Sequence, residues 1–105
     1  MTAKEFILTL PERAADISMD DLDTVFHFQL TGEGGGDMTV VLKDNKVETS
    51  EGLTGEPKCT LKAKAENFMK LIRGDLNPMM AMMTGKIKIS NPGEMLKYAK
   101  VLGLM

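Results

Sequence analysis

Two runs of alternating side chains, joined by a glycine-rich turn, set the first constraint on this chain. From Thr24 to Leu30, Phe26, Phe28 and Leu30 fall on one side and Val25, His27 and Gln29 on the other. A period of two is that of a half-buried strand, because successive side chains point to opposite faces of a sheet. Gly32, Gly34, Gly35 and Gly36 follow, and then Met38, Val40 and Leu42 alternate with Thr39, Val41 and Lys43. This spacing predicts a hairpin. A tight turn at Asp44-Asn45 leads into a short polar strand, Lys46 to Thr49. The loop Gly52 to Pro57 leads into a fourth strand, Lys58 to Ala63, where Cys59, Leu61 and Ala63 alternate with Lys58, Thr60 and Lys62. Four strands in this order are expected to form a meander.

The period then becomes helical. Phe68, Leu71 and Ile72 stand at i, i+3 and i+4, and Gly74 sits where a left-handed cap belongs. Asn77 and Pro78 are an N-cap and a first-position proline for a second short helix, which holds Met79, Met80, Met82 and Met83 and closes at Gly85. Lys86 to Ile89 alternates again as a fifth strand. Asn91, Pro92 and Glu94 repeat the cap, proline and carboxylate pattern before a last helix with Met95, Ala99 and Leu102 on one side. At the start of the chain, Thr2 and Glu5 form a capping-box pattern for a short helix carrying Phe6, Ile7 and Leu10, ended or kinked by Pro11. Glu12 to Asp23 is acidic and reads as a helical turn around Glu12 to Ala15 and then a loop. The predicted class is α+β: a five-stranded, mostly antiparallel sheet whose apolar face must be covered by helices packed on that face.

With 105 residues the chain has enough material for one domain, residues 1–105, and its 43% apolar and 27% charged content is that of a folded globular protein. No apolar run approaches the roughly 20 residues that span a bilayer, and no basic-then-apolar leader opens the chain, so a cytoplasmic protein is expected. The single Cys59 and single His27 supply neither a disulfide nor the clustered ligands of a metal site, and no nucleophile and base pair emerges for catalysis. No cofactor is expected either. The glycine turn lacks the following Lys-Ser/Thr and helix of a phosphate-binding loop. His27 is expected at the surface and Cys59 as a buried structural thiol.

Ten methionines against four phenylalanines, one tyrosine and no tryptophan make much of the large apolar volume unbranched and pliable. Charge is unevenly placed. Residues 1–56 hold 12 acidic and 4 basic side chains and residues 57–105 hold 3 and 9, so the formal net charge of −2 hides a dipole along the chain. Lys58, Lys62, Lys86 and Lys88 alternate with apolar neighbours and should project from the sheet's outer face. The plain reading is a solvated face. The functional one adds Lys64, Lys70 and Arg73 and makes a patch that attracts anionic lipid head groups, as in transient contact with an anionic membrane. A net-acidic chain with few aromatics to stack bases does not suit nucleic acid.

The run Asn67 to Ile89, NFMKLIRGDLNPMMAMMTGKIKI, resembles the signature of the sterol carrier protein type 2 domain. The shared pattern is a helix ending in Arg73-Gly74, then Asp75-Leu76-Asn77-Pro78, a short apolar helix containing Ala81, and Gly85 to Ile89 opening the last strand. Phe26 to Gly32 and Pro57 to Leu61 fall where that family places its first hairpin and fourth strand. Phe6 to Arg13, FILTLPER, resembles the short N-terminal segment of its prokaryotic members. The resemblance implies an apolar tunnel enclosed between sheet and helices. Its expected ligands are fatty acids, fatty acyl-CoA and, in some members, sterols, with no catalytic residues. The chain departs from the eukaryotic pattern in a shorter N-terminal helix, a brief C-terminal segment and the ending Gly103-Leu104-Met105 in place of a peroxisomal Ser-Lys-Leu address.

The expected wall of the binding site is Phe26, Phe28, Val40, Leu42, Phe68, Leu71, Met79, Met80, Met82, Met83, Ile87, Met95, Ala99 and Leu102, with the last helix as a movable lid. Thioether side chains repack around different shapes, so the methionines suit an acyl chain of variable length. The same residues could instead form a closed core, or a methionine surface that docks a partner protein as a lipid-free interaction module. Met79 and Met83 as Cu(I) ligands lack an accompanying His or Cys.

Overall fold

The computed structural model describes residues 1–13, 23–44, 46–98 and 101. The acidic loop through Asp20 and Asp21, the tail at Gly103 to Met105, and Ala99 and Leu102 of the expected wall lie outside these residues. Asn45 of the second turn does too. Among the described residues, five helices and five strands follow in the order α1 (Ala3–Leu8), α2 (Leu10–Arg13), β1 (Asp23–Thr31), β2 (Gly36–Lys43), β3 (Lys46–Glu51), β4 (Cys59–Lys64), α3 (Ala65–Arg73), α4 (Pro78–Met83), β5 (Ile87–Ile89) and α5 (Pro92–Tyr98).

The sheet order is β3-β2-β1-β4-β5. Three of its four pairings are antiparallel, but β4 returns to lie parallel to β1, with Phe26 opposite Cys59 and Phe28 opposite Leu61. The expected meander therefore stops at β3. The loop after Glu51 carries the chain back across the sheet, and β1 becomes the central strand because its Phe26 and Phe28 gain apolar neighbours on both sides. Both central phenylalanines are fully buried.

Each helix end shows its chemical cause. The Thr2 side chain accepts from the Glu5 amide and the Glu5 carboxylate accepts from the Thr2 amide, closing the capping box of α1. The first helix ends at Thr9, and the chain resumes helix as α2 with Pro11 inside its first turn. Asn77 accepts from the Met79 and Met80 amides to start α4, and Asn91 accepts from the Glu94 amide at the head of α5. Gly74 ends α3 at φ 81°, a left-handed conformation that costs other residues about 1 kcal/mol or more. At Gly35 the need is space: a Cβ there would lie 2.4 Å from the Leu30 carbonyl oxygen.

The outer face of the sheet is only partly open to water. His27 is buried, contrary to its expected surface position. Its Nε2–H donates to the Thr54 carbonyl at 2.8 Å, while the Thr39 hydroxyl donates to Gly52 O at 2.7 Å and accepts from the Thr54 amide at 3.0 Å. The Gly52–Thr54 loop thus folds over the middle of β1 and β2. Alternation fixed which face His27 takes, but not what covers that face.

Candidate functional site

Between the sheet and the helices, the side chains of Phe26, Phe28, Val40, Leu42, Phe68, Leu71, Ile87 and Met95 form one buried cluster, as their spacing predicts. Its spine is aromatic. Phe6 and Phe68 meet edge to face at 6.1 Å, Phe68 and Phe28 at 5.7 Å, Phe28 stacks on Phe26 at 6.3 Å, and Phe26 meets Tyr98 edge-on at 5.6 Å. All four phenylalanines and the one tyrosine of the sequence stand in this single string. It runs from α1 through α3 and β1 to α5. Each such pair adds about 0.5–1.5 kcal/mol to what area burial supplies.

Tyr98 was not among the expected wall residues, although it is one of the largest fully buried side chains. Among the described residues of this last segment, Met95, Tyr98 and Val101 are buried, at i, i+3 and i+6. Met38, Cys59 and Leu61 also belong to the buried cluster. Their position on the Phe26 face of β2 and β4 was the available signal.

The methionine helix is placed differently from its expected position on the wall. Met79, Met80 and Met83 are 66%, 55% and 76% exposed, Met82 is half-buried, and only Ala81 of α4 is fully buried. Ala81 anchors the helix, and its carbonyl accepts from the Lys86 amide at 2.9 Å as the chain enters β5. With three thioethers turned to water, α4 presents an apolar surface rather than a wall.

The interior offers little polar chemistry. Every buried side-chain nitrogen and oxygen among the described residues has a hydrogen-bond partner. The Cys59 thiol donates to Asn91 O at 3.5 Å, and burial pushes its pKa up, which keeps it protonated. Cys59 sits on the inner face of the sheet and His27 on the outer, so the two cannot form a nucleophile and base pair. What this layer can do is hold apolar material.

Along the β4–β5 side of the sheet, a groove of about 430 Å³ is lined by the outer-face residues Gln29, Thr31, Lys62, Lys64, Lys86 and Lys88, with Ala63, Asn67 of α3, and Thr84 and Gly85 after α4. None of the expected wall residues borders it. Lys62, Lys64, Lys86 and Lys88 therefore gather as a patch. Lys58 instead donates to Asp23 O at 2.9 Å, Lys70 pairs with Glu66 at 3.5 Å, and Arg73 pairs with Asp75 at 3.4 Å.

Comparison with known proteins decides the family. The family model described as the SCP-2 sterol transfer family matches residues 4–103. The chain belongs to this family. Among curated relatives, hydroxysteroid dehydrogenase-like protein 2 of Xenopus laevis is 34% identical over 86 residues, which cover 77% of this chain and 20% of the relative. The chain thus spans about a fifth of the length of that relative. Among solved structures, sterol carrier protein domain 2 of Helicoverpa armigera superposes with a TM-score of 0.77 at 24% identity, covering 95% of this chain and 86% of that one. Palmitated SCP2L2 of Aedes aegypti superposes with a TM-score of 0.73 at 22% identity, covering 97% and 95%. These likenesses establish the α+β fold of the SCP-2 family, five strands with helices on one face.

Proposed function

We propose that this chain is a lipid-binding and lipid-transfer module. It holds a fatty acid, a fatty acyl-CoA ester or a sterol-like ligand in an apolar tunnel between sheet and helices, and it performs no catalysis on that ligand. Family membership supports the reading, and so does the palmitate in the Aedes aegypti neighbour. The observation that carries it is α4. Three methionines lie in water on a short helix that is fully buried only at Ala81 and packs against β5. Outward displacement of α4 and α5 would admit an acyl chain between the layers, and the methionines would then turn onto it.

Each methylene moved from water into the interior contributes about 0.8 kcal/mol, so a 16-carbon chain gives about 12 kcal/mol before the cost of ordering is subtracted. Selection would follow chain length and volume rather than polar contacts.

Native mass spectrometry of freshly purified protein, followed by denaturing extraction, is expected to release a fatty acid. Because Met80 and Met83 are exposed, Met80→Glu/Met83→Glu should leave the circular dichroism spectrum and thermal midpoint nearly unchanged while fluorescent acyl probes bind about tenfold more weakly. Probe affinity that ignores both this substitution and acyl length would overturn the proposal. A second reading makes the methionine surface a docking face for a partner protein. The longer dehydrogenase-like relatives favour it, and an empty protein that ignores acyl probes would select it.

A further inference from the structure

Four of the six positions of α4 are methionine, and three of them, Met79, Met80 and Met83, face water. At i, i+1 and i+4 they share one side of the helix, within about 100° of arc. Methionines elsewhere are placed otherwise. Met38 and Met95 are buried, Met69 and Met82 are half-buried against the core, and among the described residues only Met1 is as exposed as the three on α4.

A thioether sulfur in water carries a lone pair that a hydroperoxide can take. Leucine would supply a similar apolar area with a helix propensity at least as good, and no oxidisable atom. The one thiol of the chain does not compete, because Cys59 is buried, donates to Asn91 O and keeps its proton. Nor does the helix depend on its exposed side chains. Asn77 accepts from the Met79 and Met80 amides, the Thr84 hydroxyl donates to Met80 O at 2.8 Å and the Thr84 amide to the same oxygen at 3.0 Å, and buried Ala81 ties the helix to the entry of β5. These are cap and backbone contacts, so the three sulfurs can become polar while α4 stays folded. The same change at Met38 or Met95 would put a polar group without a partner into the packed layer.

We propose that Met79, Met80 and Met83 form a reversible oxidation site, where a hydroperoxide converts the apolar face of α4 into a polar one. At each sulfur the lone pair attacks a peroxide oxygen, and the S–O bond forms as the O–O bond breaks. The proton on the transferred oxygen passes to the departing one, which leaves as water or an alcohol. Sulfur loses two electrons and the peroxide gains them. A dithiol-dependent sulfoxide reductase runs the return: the S–O bond breaks, its oxygen leaves as water, and the dithiol becomes a disulfide. The consequence rests on the lipid-binding reading. A sulfoxide oxygen keeps its water rather than turn onto an acyl chain, so the oxidised chain holds acyl ligands weakly.

The test exposes the full chain to dilute hydrogen peroxide and maps sulfoxides by peptide mass spectrometry. Met79, Met80 and Met83 should oxidise at least about tenfold faster than Met38 and Met95, whose sulfurs are reached only when the layer opens. Retention on a phenyl column should fall on oxidation and return after treatment with sulfoxide reductases of both epimer specificities, while the thermal midpoint moves by less than about 2 °C. Affinity for a fluorescent acyl probe should drop about tenfold and recover in step. In Met79→Leu/Met80→Leu/Met83→Leu, peroxide should change neither retention nor probe affinity from their untreated values. Met79→Gln/Met80→Gln/Met83→Gln, polar from the start, should elute with the oxidised native chain. Equal peroxide sensitivity in the leucine variant would overturn the site, as would oxidation of Met38 and Met95 at the rate of α4. A native chain that shows the reversible retention change yet binds no acyl probe when reduced would sink the lipid reading and leave the oxidation site standing.

Discussion

The two most apolar parts of the helical layer are built on opposite plans. Phe6, Phe68, Phe28, Phe26 and Tyr98 interlock ring to ring and are all buried, tying three helices to the central strand. A few residues further on, α4 is as apolar in composition, yet it leaves Met79, Met80 and Met83 in solvent and is held by Ala81. Rings have few rotamers and demand fitted neighbours, whereas thioether chains lose less when their neighbours change. The buried part is made of residues that adapt little, and the part left in solvent is made of residues that adapt readily.

The contrast breaks most decisively at Phe28, the middle of the string. Phe28→Ala removes the edge contact with Phe68 and the stack on Phe26, and should cost about 3–5 kcal/mol in urea or thermal unfolding. A loss below about 1 kcal/mol would show that the string does not bear the fold. A smaller effect sharpens the contrast from the other side. Asn77→Ala deletes the acceptor for the Met79 and Met80 amides at the start of α4, a loss of about 1 kcal/mol that should stay local. Hydrogen exchange should quicken across Ala81 to Gly85 while the amides of Phe68 to Leu71 keep their protection. Loss of protection in both would mean the two regions open together.

The smallest effect is at the capping box that starts α1. The hydrogen bond from the Thr2 backbone holds the Glu5 carboxyl below its ordinary value of 4.5, with the Thr2 hydroxyl contact acting in the same direction. A carboxylate depressed on folding stabilises the native state above its unfolded pKa, and that contribution fades as pH falls through the folded one. Observed by carbon NMR, Glu5 should titrate below 4.5 and the amides of Ala3 to Phe6 should loosen in the same acid window. Titration at the ordinary value would show the box to be open in solution.

Local signals were the legible ones. Alternation gave both strands of the hairpin, and Thr2, Asn77, Asn91 and Gly74 marked helix ends because each satisfies backbone groups within a few residues of itself. The parallel pairing of β1 with β4 was not legible, since it joins residues about thirty apart and no nearby motif encodes the partner. Nor was the cover over His27, which depends on where the Gly52–Thr54 loop lands. Of the expected wall, the residues on strands and on α3 lie in one buried cluster, since a strand's inner face has only one place to go. Composition could not say which side of α4 meets protein, because methionines occupy four of its six positions and the helix has no polar face. The choice of Tyr98 over its neighbours was equally hidden: a tyrosine reads as half polar until an aromatic neighbour such as Phe26 is known to be waiting.

The sole thiol of the chain is fastened under the head of α5, donating to the Asn91 carbonyl where that helix begins. Such a sulfur is out of reach of an alkylating reagent for as long as the segment stays seated. Its modification rate therefore works as a stopwatch on departures of α5 from the sheet, present in the native sequence and needing no added label.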